Sequence, residues 1–358
     1  MLVTKRRRLL HGAALVASSL LVVNNVAHGQ SGDDQNRSEW EVFRRRHVTN
    51  EGRVVDNANA GVSHSESQSY SLYVAARVDD RENFDRILAW TIANLRVRKN
   101  DGLLAWRWRP GAGVDNNNAT DGDLFFAGAL SIAGERWGAS YTSKAVDSAR
   151  DVLRVLSIKN GQRSLLLPGA DGFVNGNHLM LNPSYHSPRI LKAIDKAFPD
   201  PAWERISRNE RELVEQCRFG PLSLPSDWIT LGRNGGIPQP HPDKPQTFGY
   251  DAVRVPLQAA WGGYGTESPI LASCAAAWRL PSMTPMPGTI SLPSGERGQW
   301  QAAPGILAIA SLSFATLAHA AEVTLPPVDK SSDYYSAALT LLVRLAARDL
   351  GMEVKITV

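Results

Sequence analysis

Three carboxylates stand where a polar stretch of chain runs into an apolar one. Glu66 lies in Ser63-His64-Ser65-Glu66-Ser67-Gln68-Ser69-Tyr70, just ahead of apolar residues that begin at Leu72. Asp121 lies in Ala119-Thr120-Asp121-Gly122-Asp123, which leads straight into Leu124 to Trp137. Asp251 lies in Phe248-Gly249-Tyr250-Asp251-Ala252-Val253-Arg254-Val255-Pro256. Each has an ordinary structural explanation. Asp121 or Asp123 can accept the unpaired N–H groups of a helix's first turn, Ser63 and Glu66 have capping-box spacing, and Asp251 with Arg254 forms an i,i+3 ion pair. If the three helices start on one face, however, the acids converge. Converging carboxylates beside Trp and Tyr side chains suit chemistry on sugars: one acid protonates a leaving oxygen, another activates water, and aromatic faces stack on pyranose rings.

The elements that must hold these acids are mostly helical. Phe126, Leu130, Ala133 and Trp137 recur at helical spacing after Asp123, so the pattern predicts a helix there. Phe84, Ile87, Leu88, Trp90 and Leu95 mark a second helix, and Ala145, Ala149, Val152, Leu153 and Leu156 a third. Ser187-Pro188 and Ser268-Pro269 each supply a cap followed by Pro at the first helical position, opening Ile190 to Phe198 and Leu271 to Trp278. Trp203 to Cys217, Ile306 to Leu317, and Tyr334 to Leu350 behind Ser331-Ser332-Asp333 complete the set. Strand signals are few. Between the helices run long segments rich in Gly, Pro, Asn and Trp: Asn100 to Asn118, Leu165 to His186, Phe219 to Tyr250, and Leu280 to Gly298. Loops of such length in a compact domain are usually functional, and here they suggest a cleft on one face of an all-α scaffold.

Composition narrows the rest. Lys5 to Arg8, the apolar run Ala13 to Val23 and the small residues Ala27-His28-Gly29 read as a cleavable export signal over residues 1–29. The start also loosely resembles a twin-arginine signal, so the export route stays open. The apolar run is short for a membrane span and no later segment is long and uncharged enough to be one, so stable membrane insertion is not expected. The formal net charge of +4 is carried by Lys5, Arg6, Arg7 and Arg8, which leaves residues 30–358 neutral and argues against a nucleic-acid partner. No composition break or strict repeat divides residues 30–358, which read as a single domain. The only cysteines, Cys217 and Cys274, sit on apolar helical faces and could pair after export or pack as free thiols. The eight His are scattered, with no Cys-x-x-Cys or His-Glu-x-x-His, and neither a metal nor a cofactor is expected.

On these residues the chain resembles glycoside hydrolase family 8. Ala119 to Trp137 resembles the family signature. Glu51-Gly52-Arg53-Val54-Val55-Asp56 followed by Ser65-Glu66-Ser67-Gln68-Ser69-Tyr70 looks like its amino-terminal acid motif. Asn182-Pro183-Ser184-Tyr185, Ser226-Asp227-Trp228, Tyr250-Asp251-Ala252-Val253-Arg254 and Asp333-Tyr334-Tyr335 follow in the family's order. The resemblance covers nearly all of residues 30–358, and within the family it is strongest to exported endoglucanases associated with bacterial cellulose synthesis. It implies an (α/α)6 barrel and inverting hydrolysis of β-1,4-glucans such as cellulose, with Glu66 as general acid, Asp251 as the base that activates water, and Asp121 holding the sugar in a distorted shape. It also implies that Tyr185, Tyr250 and Arg254 line that subsite. Trp106, Trp108 and Tyr335 are expected to bind sugar by their loop context. A periplasmic or secreted location and association with cellulose synthase machinery would follow from that branch.

The chemistry sets its own requirements. Inversion needs room for water, so the carboxyls of Glu66 and Asp251 should be roughly 6.5 to 9.5 Å apart. Glu66 must stay protonated near neutrality, through burial or neighbouring carboxylates, while Asp251 stays ionised, with Arg254 helping if close. Ser67 and Ser71 stand where relatives usually carry Gly, and Phe126 replaces an Ile or Met of the signature. Alternative readings are a family-8 chitosanase or xylanase, or a periplasmic glucan-binding protein without turnover; an intact Asp251 favours the glucanase branch.

Overall fold

The computed structural model describes residues 32–357, so the export signal read over residues 1–29 lies outside the described residues. Eleven α-helices occur among them: α1 (Gly32–His47), α2 (Ser65–Arg77), α3 (Arg81–Asn94), α4 (Thr120–Trp137), α5 (Ala139–Leu156), α6 (Pro188–Ala197), α7 (Pro201–Gln216), α8 (Arg254–Trp261), α9 (Pro269–Trp278), α10 (Pro304–Leu317) and α11 (Tyr334–Asp349). The helical periodicities therefore mark real helices. Pro188 and Pro269 open α6 and α9 as expected, but only Ser268 makes a side-chain cap, accepting from the Leu271 N–H, while the buried Ser187 hydroxyl has no partner.

Two kinds of helix are distinguishable by what they bury. In α2, α4 and α11 the first three turns are buried on nearly every side, as expected of helices running through a core. Helices α5, α6 and α7 instead bury one stripe, Tyr141, Ala145, Ala149 and Val152 on α5 and Trp203, Ile206 and Leu213 on α7. In space α2 packs on α4 and α11, α4 on α5 and α6, α6 on α8, and α8 on α10 and α11. One hydrophobic core runs through all of them.

The long inter-helix segments are less irregular than their composition suggests. Ser63–His64, Arg107–Arg109 and Gly113–Asp115 form a three-stranded antiparallel sheet at the start of α2. Val174–Asn175, His178–Leu181, Ile229–Gly232 and Gln239–Pro240 form a four-stranded one, and Thr247–Phe248 pairs with Ile290–Ser291. The helix-rich expectation holds, and the long segments add small sheets to it. Strands of two to four residues carry too little alternation to show in a sequence.

Close approach of α2 and α4 brings their N-termini together. A Cβ at Gly122 would lie 2.3 Å from Ser65 Oγ, so only glycine lets the first turns of the two helices meet. Replacing Gly122 by Ala should therefore force them apart. A loss of about 1–3 kcal/mol, read from the denaturation midpoint, is the expected result; an unchanged midpoint would show that the contact relaxes freely.

Candidate active site

The three acids meet at one guanidinium. Arg254, in the first turn of α8, is 2 % exposed. Its Nη1 donates to Glu66 Oε2 at 2.8 Å, to Asp121 Oδ2 at 2.8 Å and to the Tyr70 hydroxyl at 2.8 Å. Its Nη2 donates to Asp251 Oδ1 at 2.6 Å. The Asp251–Arg254 pair foreseen from i,i+3 spacing is present, but it is one arm of a four-way junction spanning α2, α4 and α8.

Each acid is presented by a different local device. The start of α2 is capped by His64, not by a Ser63–Glu66 box: His64 Nδ1 accepts the Ser67 N–H at 3.1 Å, and the Ser67 hydroxyl accepts the His64 N–H at 3.1 Å. Ser67 is thereby accounted for, and Glu66 is left free to face the junction, where the Tyr334 hydroxyl donates to its Oε1 at 3.3 Å. The Ser71 hydroxyl is buried without a partner, and nothing in the structure explains that residue. At the start of α4 the cap position is Ala119, which has no side-chain cap bond, so neither aspartate is the expected N-cap. Asp121 points at Arg254. Asp123 points the other way and ties down the preceding loop, accepting the Leu104 N–H at 2.8 Å and the Asn118 side-chain amide at 2.8 Å. Asp251 does not begin a helix either; it stands in a turn three residues before α8.

That turn is built by Asp227, which the sequence pattern named only as part of a motif. Its Oδ1 accepts the N–H groups of Gly249 (3.2 Å), Asp251 (3.1 Å) and Ala252 (2.7 Å), and its Oδ2 accepts the Thr247 hydroxyl at 3.0 Å. A Cβ at Gly249 would lie 2.4 Å from the same carboxylate, which explains glycine there. Tyr70 and Tyr334 were likewise missed as site residues, although Tyr70 falls one helical turn after Glu66, a spacing that announces a shared face.

Burial raises the Glu66 carboxyl above its ordinary pKa; Arg254 and His64 oppose the rise, and Asp121 and Asp251 add to it. Burial also raises Asp251, opposed by Arg254 and the Asn182 amide and reinforced by Asp121. Arg254 therefore acts on Asp251 in the expected direction without overcoming burial. Asp227 is pushed up to about 6 by burial and by the Asp251 charge, and Asp123 to about 7, mainly by burial.

The aromatic residues divide into two groups. Tyr185 is part-buried in the site, its ring 5.6 Å from the Arg254 guanidinium and edge-on to Trp228, which stacks on Phe173. Tyr250 is 53 % exposed, and its carbonyl accepts the Tyr335 hydroxyl at 2.5 Å, so Tyr335 steadies the turn that carries Asp251. Trp106 and Trp108 lie on or beside the sheet that flanks α2, each with an arginine over its ring, Arg107 at 4.1 Å and Arg53 at 5.2 Å, and Trp108 is also edge-on to Trp90. The Trp106 carbonyl accepts the Ser65 N–H at 2.9 Å, one residue before Glu66. Cys217 and Cys274 are buried free thiols.

A helix-rich scaffold with three acids gathered at one mouth, beside tyrosine and tryptophan rings, defines a glycoside hydrolase. The family model for glycosyl hydrolases family 8 matches residues 13–349, and the chain belongs to that family. It is 37 % identical over 338 residues to a probable endoglucanase of Novacetimonas hansenii, covering 93 % of this chain and 97 % of that protein. The solved endo-β-1,4-glucanase CMCax from Acetobacter xylinum superposes with a TM-score of 0.83 at 37 % identity, covering 89 % of this chain and all of the other. Endoglucanase Cel10 from Klebsiella pneumoniae gives 0.80 at 33 % identity, covering 87 % and 99 %.

Two predictions follow from the junction and its turn. Arg254→Met should destabilise the fold by about 3–5 kcal/mol at pH 7, because three buried carboxylates lose their counter-charge. Their folded pKa values would rise further, so the penalty should be largest above those values and shrink as the acids protonate toward pH 4. Melting temperatures of wild type and variant across that range test this, and a deficit independent of pH would refute it. Asp227→Ala should release the turn that aims Asp251, lowering kcat about 100-fold, in line with the cost of misplacing a group within a site. Unaltered kcat would show that the turn holds without it.

Proposed function

We propose that the chain is an endo-β-1,4-glucanase that cleaves internal bonds of cellulose or related β-glucans with inversion, in a cleft at the mouth of an (α/α)6 barrel. The observation that carries this reading is the Arg254-centred gathering of Glu66, Asp121 and Asp251 in a family-8 chain. The helices that bury all faces, backed by helices that bury one stripe, support the barrel. Endoglucanases among the similar proteins support the substrate.

In this reading Glu66 delivers its proton to the glycosidic oxygen as the bond breaks. Burial raises the pKa of that carboxyl, the direction a proton donor needs. Asp251 takes a proton from the water that attacks the anomeric carbon from the opposite face. The two acids approach different terminal nitrogens of one guanidinium, and inversion is carried in this reading by membership of family 8. Asp121, on the same nitrogen as Glu66, grips a hydroxyl of the sugar between them and favours its distortion, while Tyr185, Tyr250 and Arg254 line the subsite. Export to the periplasm or medium and work alongside a cellulose synthase complete the proposal, on the strength of the basic and apolar residues at the start of the chain and the resemblance to endoglucanases of that kind.

Glu66→Gln and Asp251→Asn should each reduce reducing-sugar release from carboxymethyl cellulose by at least about 1,000-fold while oligosaccharide binding persists. Following the anomeric configuration of fresh product by NMR should show inversion. Retained turnover in either variant removes that residue's role, and faster release from chitosan or xylan transfers the proposal to those substrates.

A further inference from the structure

Residues 286–302 form a hairpin-like flap: Ala302 N–H donates to the Met286 carbonyl, Gly288 to Trp300 and Gly298 to Thr289, all at 2.8 Å. Its inner strand is paired to the segment leading into the catalytic turn, with Thr247 opposite Ser291 and Phe248 opposite Ile290. Leu292 N–H donates to the Gln246 carbonyl at 3.0 Å, which extends the same register backward. The pairing is antiparallel, so as the chain advances from Phe248 toward Tyr250 and Asp251, its partner recedes from Ile290 toward Gly288. Gly288 therefore lies beyond the last pair, at the end of the ladder where the chain turns toward Tyr250 and Asp251. Trp300 is bonded to Gly288 through its carbonyl on the outer strand, at the same end of the ladder. Its indole is 75 % exposed, in a molecule whose other tryptophans are buried or part-buried among the described residues.

No ring contact, hydrogen bond or cation accounts for that indole. A large aromatic surface left in water at the end of a strand ladder that is anchored to the catalytic turn costs hydration free energy unless something stacks on it. Tyr250, 53 % exposed, offers a second ring at the same end of the ladder, in the turn that carries Asp251. We propose that Trp300 is a sugar-stacking platform for an outlying unit of a β-glucan chain, reached from the cleft past Tyr250. This rests on the glucanase reading above. The ligand class follows from the chemistry of the platform: the flat, C–H-lined faces of a β-linked glucan stack on an indole without requiring a charge.

The test compares cellotriose with cellohexaose for wild type, W300A and W300F. Only a long chain can occupy the cleavage site and the platform together. In W300A the ratio of kcat/KM for cellohexaose to that for cellotriose should fall about 3- to 10-fold, through KM and not kcat, and W300F should restore most of it. In a Glu66→Gln background, the W300A change should weaken cellohexaose binding in calorimetry by a similar factor. Because Trp300 is exposed and its backbone carbonyl keeps the Gly288 bond, the melting temperature should stay at the wild-type value. A wild-type ratio in W300A, with normal hydrolysis, would overturn the platform and leave the glucanase reading standing. Failure of the wild type to cleave any β-glucan would overturn both.

Discussion

The structure depends on one buried cation. Arg254 is almost wholly removed from water, and a lone guanidinium in that position would be untenable. Four partners make it tenable: carboxylates from the first turn of α2, the first turn of α4 and the turn before α8, plus the Tyr70 hydroxyl. Burial would lower its pKa, but those neighbours together with Tyr335 hold it well above the ordinary arginine value, so it stays charged. The dependence is mutual. Without the cation, three acids crowded together would repel one another and take up protons, and the segments that carry them would lose their reason to meet.

Such a junction requires backbones to approach where side chains would otherwise intervene. Gly122 lets the start of α4 rest on Ser65, and Gly249 lets the catalytic turn close over Asp227. Asp227 carries no direct bond to Arg254, yet by collecting three consecutive-turn N–H groups it fixes the direction in which Asp251 leaves the chain. Asp123 plays a comparable part for the loop that leads into α4. Two further buried carboxylates are thus spent on holding backbone in place, and the pKa values they acquire, about 6 and about 7, reflect burial and neighbouring charge rather than chemistry on a substrate.

How much of this can be read from residues alone differs from place to place. Helix spans are legible because Pro188, Pro269 and the apolar stripes act locally, and the convergence of Glu66, Asp121 and Asp251 is legible because all three precede apolar runs. Asp121 and Asp123 are harder. They differ by two positions, which on a helix sends their side chains to nearly opposite faces, and only the surroundings decide that one meets Arg254 and the other Leu104. Capping rules point to either aspartate and to a Ser63–Glu66 pair, whereas the fold caps α2 with His64 and leaves α4 without a side-chain cap. Tyr334 and Tyr335 show the same limit: adjacent in sequence, one bonds Glu66 and the other the Tyr250 carbonyl. Contacts between residues more than a hundred positions apart leave no local trace.

A shared cation does not by itself tell an acid from a base, since Arg254 serves Glu66 and Asp251 alike. Surroundings make the distinction. The Glu66 side chain is 16 % exposed, with its second oxygen turned to the Tyr334 hydroxyl, a group that can also accept a bond when the carboxyl is protonated. The Asp251 side chain, at 31 %, is the most open of the three, and the Asn182 amide as well as Arg254 favours its charged form. Asp121, at 5 %, is the most enclosed of the three and spends its other oxygen on the Gly122 N–H. Burial raises both carboxyls, and the difference in exposure between the two side chains is the one on which the proposed roles draw. The same guanidinium that assembles the site thus meets acids seated at three different depths.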